Sequence, residues 1–256
     1  MARGNVETLT AGRTDHRGLQ PIWAVIGKFC VALIVFGGVF GGWLFVMQSR
    51  AEMRDAAARL PGGGSADRCA IWFIGSSSIH KWTTLEADMT PWDAFNRGVN
   101  GARMPELLQM LRNEPRGSRP RAIVYYAGEN DIAKGATAAE DVVNLRAFLA
   151  FRMRRWGKVP VIVVALKPSP TRWGNLPEQT LFNTAARTMA ARTPGVTFVD
   201  IVPYFLVDHR PGPFYVDDGV HLNPAGYARL TRAIRPALQS SLRRDDPASC
   251  SQRTQA

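Results

Sequence analysis

The sequence predicts an α/β protein: a parallel sheet of about five strands covered by helices, preceded by one membrane-spanning helix. Three observations carry that expectation. From residue 70 onward, short apolar runs alternate with longer segments of helical period, the pattern of strand–helix–strand units. Ile71–Ile74 is four consecutive apolar residues, as in a strand buried on both faces. Finally, Phe29–Met47 is nineteen residues without a charge, about the length needed to cross a ~30 Å hydrocarbon layer.

Taken in order, residues 1–21 are polar, with Arg3, Arg13 and Arg17, and read as an unstructured tail. The anchor is expected within 22–47. Trp23 and Trp43 lie near its two ends, as interfacial aromatics do, and Lys28 can snorkel. A buried core helix of this length rarely lacks polar residues on every face. A cleavable signal peptide is the other reading, but the 28 residues before the apolar core and the core itself are long for that class. Four Lys/Arg precede the stretch and four follow it up to Arg68, so flanking charge does not choose an orientation. Cys69 and Cys250 bracket the remaining, soluble part of the chain. A disulfide between them needs an oxidising compartment, which points the domain to the periplasmic or extracytoplasmic side. Pro61-Gly62-Gly63-Gly64-Ser65 breaks the helical composition of Arg50–Leu60, so 48–67 reads as a linker and 68–242 as the domain.

Within the domain, strands are expected at Ala70–Ile74, Ala94–Val99, Ala122–Ala127, Val159–Leu166 and Val196–Ile201. The third is expected to be central. Helices are expected at Met104–Asn113, Ala138–Trp156, Glu178–Arg192 and Pro224–Leu242. In the second helix Val142, Leu145, Leu149, Met153 and Trp156 recur at three- and four-residue spacing, giving one apolar face. In the last, Asn223 suits the N-cap and Pro224 the first helical position. Residues 243–256 read as a disordered tail.

The net charge of +11 comes from 32 basic and 21 acidic residues. The basic residues are scattered, with no zinc-finger spacing and no dense Lys/Arg helix, which argues against nucleic acid. A solvated basic surface, or one facing anionic lipid or an acidic polymer, fits better. No His/Cys cluster has metal-ligand spacing, so no metal or other cofactor is expected.

Chemistry concentrates where strands end. Ile71–Ile74 stops at Gly75, and Ser76, Ser77 and Ser78 follow. A hydroxyl at the carboxyl end of a strand in an open sheet sits where such folds place ligands, and it becomes a nucleophile if a base reaches it. The bland reading is a turn with serine N-caps. After the second strand, the glycines of Gly98-Val99-Asn100-Gly101 either form a plain turn, the reading this loop favours by itself, or let a backbone N–H approach a ligand closely. After the third, Gly128-Glu129-Asn130-Asp131 offers an amide to a developing oxyanion through Asn130, or a helix cap through Asp131. Before the last helix, Asp218 stands three residues ahead of His221. It can hold the ring by Nδ1 and leave Nε2 free to take a proton from a serine. His16, His80 and His209 have no such setting.

In this order the four blocks resemble the SGNH subgroup of the GDSL esterase/lipase family over roughly residues 68–242. Gly75-Ser76-Ser77 lines up with the family's Gly-Asp-Ser, which makes Ser77 the matching nucleophile. Gly101 matches the second-block glycine, Asn130 the third-block asparagine, and Asp218 and His221 the Asp-x-x-His. The resemblance implies a three-layer α/β/α, flavodoxin-like fold and a Ser77–His221–Asp218 triad. It also implies an oxyanion hole from the N–H groups of Ser77 and Gly101 and the Asn130 side chain. Ser76 replaces the usual aspartate, which is not a triad member, and this makes it a rival nucleophile. Gly75-Ser76-Ser77-Ser78-Ile79 and Lys167-Pro168-Ser169-Pro170 look like a variant of the family, and the segment around Trp173 is a candidate for shaping the substrate side.

The implied activity is hydrolysis of carboxylic esters. The absence of a long insertion favours short acyl groups such as acetyl on carbohydrate, and a tether beside a bilayer favours lysophospholipid. An acyltransferase would use the same residues, and a non-catalytic tethered binding module would share the fold.

Overall fold

A computed structural model of the chain describes residues 26, 28–29, 33, 36–40, 58–62 and 69–243. It divides into two compact units, Met1–Asp55 and Ala56–Ala256. In the first unit the described residues are helical. Phe29, Leu33, Phe36 and Val39 are exposed, and the Phe36 and Phe40 rings stack at 5.9 Å. Among the described residues no helix is long and apolar enough to cross a membrane. The expected span at Phe29–Met47 lies largely outside them, as do the tails at 1–21 and beyond Arg243.

In the second unit five strands form one parallel sheet: β1 (Ile71–Gly75), β2 (Ala94–Gly98), β3 (Ala122–Tyr126), β4 (Val161–Val164) and β5 (Val196–Val199), in the order β2-β1-β3-β4-β5. Every residue of β1, β3 and β4 is buried, which is why their sequences are continuous apolar runs rather than alternating ones. β3 is the central strand, as expected.

The chain leaves β1 toward β2 on one side and then runs β3, β4, β5 on the other. Right-handed crossovers therefore put the helices on opposite faces. α1 (Ser77–His80) and α2 (Leu85–Asp88) follow β1. The long last helix, here α8 (Pro224–Arg243), meets them: Trp82 stacks on Tyr227 at 5.4 Å, and Arg235 donates to the Asp88 carbonyl. α3 (Met104–Arg112), α5 (Ala138–Trp156) and α6 (Leu176–Arg192) pack side by side as the other layer. Two short helices, α4 (Glu129–Ala133) and α7 (Val202–Phe205), follow β3 and β5. A hairpin, β6 (Leu206–Val207) and β7 (Arg210–Pro211), completes the set, with Asp208 and His209 at positive φ in its turn.

Four details depart from the sequence reading. The strand expected over Val159–Leu166 ends at Val164 because Leu166 is clasped by a side chain: its N–H donates to Asn183 Oδ1 at 2.7 Å and its carbonyl accepts from Asn183 Nδ2. The buried face of α5 is rotated. Met153 is exposed, and Phe148 and Arg152 take the inner positions. Arg152 is wholly buried because its guanidinium donates to the carbonyls of Val159, Pro194 and Gly195 at the start of β4 and β5. The short helices went unpredicted, being too brief to show a period. Part of the expected linker belongs to the domain: Leu60 is buried in the core, its N–H donates to Glu114, and Arg97 donates to the carbonyls of Leu60 and Pro61. Cys69 is disulfide-bonded, and the chain's other cysteines, Cys30 and Cys250, lie outside the described residues.

Candidate active site

The strand order places a topological switch between β1 and β3, and open α/β sheets hold ligands beyond the carboxyl ends of such a pair. β1 ends at Gly75 for a steric reason. A Cβ there would stand 2.3 Å from the Tyr126 carbonyl oxygen of neighbouring β3, so only glycine lets the two strand ends approach. The chain then turns at once into α1, with Ser76 as N-cap and Ser77 as the first helical residue. Of the three serines, Ser76 and Ser78 are 1 % exposed and Ser77 is 7 %. Ser78 is engaged, its Oγ accepting from Lys167 Nζ at 3.3 Å and its carbonyl from Tyr227 Oη at 3.1 Å.

β3 runs into Gly128 and α4, which carries Asn130. Asn130 is 6 % exposed, and its Nδ2 donates to the Ala102 carbonyl at 3.1 Å. This brings the amide beside Gly101, whose φ of +74° suits glycine. Asp131 accepts the Met104 N–H on both carboxylate oxygens at 3.2 Å. It therefore caps α3 and not its own segment. Burial raises the Asp131 carboxyl above its usual range, although the Met104 N–H pulls the other way.

Asp218 and His221 form a pair. Nδ1 of His221 stands 2.5 Å from Asp218 Oδ2, and Asp218 Oδ1 accepts the N–H of Val220 and of His221 at 2.8 and 2.9 Å. Desolvation pushes this carboxyl up, but the His221 ring and the two N–H groups outweigh it and hold the acid well below the usual carboxylate range. The loop is pinned from below because Asn223 caps α8, accepting the Gly226 N–H at 2.9 Å. The imidazole is met by Lys81, the C-cap of α1, whose Nζ is 3.3 Å from His221 Nδ1. His80 turns elsewhere, its Nδ1 3.2 Å from the Gly98 carbonyl oxygen.

Sequence reasoning missed the residues that tie these loops together. Lys167 and Glu129 form a buried ion pair, with Nζ 3.0 Å from both carboxylate oxygens. The Lys167 ammonium lies between the rings of Tyr126 and Tyr215, 5.7 and 5.9 Å from their centroids. Tyr215 donates to the Pro168 carbonyl. Thr171 donates through Oγ1 to the Asp218 carbonyl at 2.7 Å and through its N–H to that of Gly219. Arg172 Nη1 donates to Asn130 Oδ1 at 3.1 Å and to the Glu129 carbonyl at 3.3 Å. Residues 167–172 are thus one strap across three blocks. The only signal for it in the sequence was the Lys-Pro-Ser-Pro run. Two surface clefts of about 380 and 450 Å³ flank Trp92 and lie by the starts of β2 and β3, the opposite end of the sheet, and play no part here.

Among the described residues no group of three or more His, Cys, Asp or Glu is arranged to hold a metal. Residues 64–229 match the GDSL-like lipase/acylhydrolase family. The chain belongs to that family and is a hydrolase of ester bonds. No curated protein matches it. Among solved structures it is similar to a Streptococcus pneumonia protein provisionally described as a platelet activating factor, at 23 % identity and TM-score 0.63, covering 81 % of this chain and 99 % of that one. A GDSL-like lipase from Bacteroides thetaiotaomicron shares 22 % identity at TM-score 0.57, over 76 % and 98 %. A carbohydrate esterase family 3 member from Talaromyces cellulolyticus shares 18 % at 0.58, over 68 % and 98 %. At these identities the likeness is one of fold.

Proposed function

We propose that the protein is a serine esterase in which His221 takes the proton of Ser77 as the hydroxyl attacks an ester carbonyl. The observation that carries this is the Asp218–His221 pair, whose imidazole is met by Lys81 at the end of the helix that begins at Ser77. With Nδ1–H committed to Asp218, Nε2 is the free base. Asp218 stays ionised throughout and stabilises the imidazolium. The N–H groups of Ser77 and Gly101 and the Asn130 Nδ2 receive the oxyanion. His221 then protonates the leaving alcohol, and water releases the acyl group.

The substrate class we infer is a short acyl ester, such as acetyl on carbohydrate. The chain carries no long insertion between strands that would build an acyl tunnel, and a similar fold occurs in a carbohydrate esterase. A lysophospholipid ester is the competing class and follows from a membrane tether at Phe29–Met47. Export of the domain fits the disulfide-bonded Cys69, which requires an oxidising compartment.

The test is hydrolysis of p-nitrophenyl acetate, butyrate and octanoate by the full chain. Ser77→Ala should lower kcat by on the order of 10³-fold or more, and Ser76→Ala should leave it within a few-fold. Equal activity of Ser77→Ala and wild type would remove the assignment. A rate falling from acetate to octanoate favours the short-acyl class, and the reverse favours the lipid.

A further inference from the structure

The seven residues after Leu166 include two cations with unlike surroundings. Lys167 is consumed by Glu129 and Ser78. Arg172 is half-buried and directs a nitrogen at Asn130, the one side-chain amide proposed to receive the oxyanion.

An amide can sit either way round, with its oxygen and nitrogen exchanged. In one state Nδ2 faces the Ala102 carbonyl and Oδ1 faces Arg172, as observed. In the exchanged state oxygen would face oxygen at Ala102 and NH₂ would face the guanidinium. Arginine has five donors and no acceptor, and a carbonyl has no donor. Both contacts would then be lost at a site 6 % exposed to water, where unpaired polar groups are costly. The observed state leaves one Nδ2 hydrogen spare, beyond the one given to Ala102. Reversal would leave an acceptor facing the oxyanion instead of a donor.

We propose that Arg172 is a positioning residue of the oxyanion site: it locks the Asn130 amide with Nδ2 toward the developing charge. The lock is itself braced, because the preceding Thr171 is bonded to the Asp218 loop and Arg172 also grips the Glu129 carbonyl. The same segment therefore sets the base and the oxyanion donor relative to each other. The inference rests on the serine-esterase reading above.

The experiment is a double-mutant cycle on the full chain with Arg172→Ala, Asn130→Ala and the double variant. The readouts are kcat and KM on p-nitrophenyl acetate and the rate of labelling by a fluorophosphonate, with melting temperature as the folding check. Loss of a whole oxyanion donor costs about 10²–10³ in turnover, so Arg172→Ala should cost on the order of 10- to 100-fold in kcat, with KM within about threefold. In the Asn130→Ala background it should cost less than about twofold, because there is no amide left to orient. Arg172→Lys, which keeps a donor, should recover part of the loss. Additive effects, or a change confined to KM, would overturn the proposal, the second outcome making Arg172 a substrate contact. Ser77→Ala separates the two readings. If it is as active and as readily labelled as wild type, the serine mechanism itself fails; if it is inactive and Arg172→Ala is not impaired, only the positioning role fails.

Discussion

Among the described residues, two ion pairs are buried, and they are used differently. Arg97 and Glu114 meet at 2.8 Å with side chains 2 % and 0 % exposed, and Lys167 and Glu129 meet at 3.0 Å with side chains 1 % and 5 % exposed. Arg97 lies over the Trp72 ring and fastens residues 60 and 61 to the sheet edge. Burial draws its guanidinium below the usual value, and Glu114 draws it only part of the way back. That pair leaves Arg97 Nη1 and Glu114 Oε2 without a hydrogen-bond partner. The Lys167 ammonium instead reaches both oxygens of Glu129 and the hydroxyl of Ser78. One pair holds a strap of chain on a scaffold. The other is a satisfied network whose neighbours are Ser77 and Asn130. Desolvation makes any buried pair a weak source of net stability, so the second is explained by the geometry it imposes.

The largest effects should come from breaking each pair on one side. Lys167→Met and Arg97→Met both strand a buried carboxylate, at a cost of about 3–5 kcal/mol. Urea unfolding should show both losses at comparable size. Turnover of the folded fraction should part them: Lys167→Met should be impaired at least tenfold and Arg97→Met within twofold. If Arg97→Met abolishes turnover in protein that is demonstrably folded, the division of labour described here is wrong.

Replacing both partners by apolar residues sharpens the comparison with a smaller expected change in stability. Arg97→Met with Glu114→Leu, and Lys167→Met with Glu129→Leu, should each recover most of the stability lost in the single variants, since a buried pair and a packed apolar pair are often equivalent. Only the first double variant should keep its activity. Recovery of turnover by the second would reduce Lys167–Glu129 to a structural element like the other.

This contrast also marks what the sequence made legible. The wholly buried strands β1, β3 and β4 could be read because each is a short local apolar run, and β2 and β5 because each recurs between helical segments. Asp218 and His221 could be read because they are three residues apart at a helix entrance, and Asn223 because a cap is a local device. Lys167 and Glu129 are separated by 38 residues, and Arg172 and Asn130 by 42. A single charged letter in a loop carries no sign of burial. Arg152 defeated the periodicity of α5 for the same reason: its partners are carbonyls of Val159, Pro194 and Gly195, invisible to any pattern of polar and apolar residues.

Asp141 provides the smallest and most pH-selective test, because it is buried in α5 with no cation set against it. It is fully buried, and its carboxylate lies against Gly128, which opens the Asn130 loop. Desolvation first, and the charges of Asp131 and Glu140 after it, push its carboxyl up to about 7, with Asn144 opposing. The folded protein therefore holds a proton between pH ~4 and ~7 that the unfolded chain releases. The stability this group contributes is intact below pH ~4 and is lost as pH rises toward 7. Asp141→Asn, which cannot ionise, should raise the melting temperature at pH 8 by several degrees and leave it nearly unchanged at pH 4.5. An equal gap at both pH values would mean that the substitution acts through packing and that Asp141 is not protonated in the fold. The result also bears on the two pairs: a buried acid that stays neutral below pH ~7 avoids the desolvation that Glu114 and Glu129 meet with a cation.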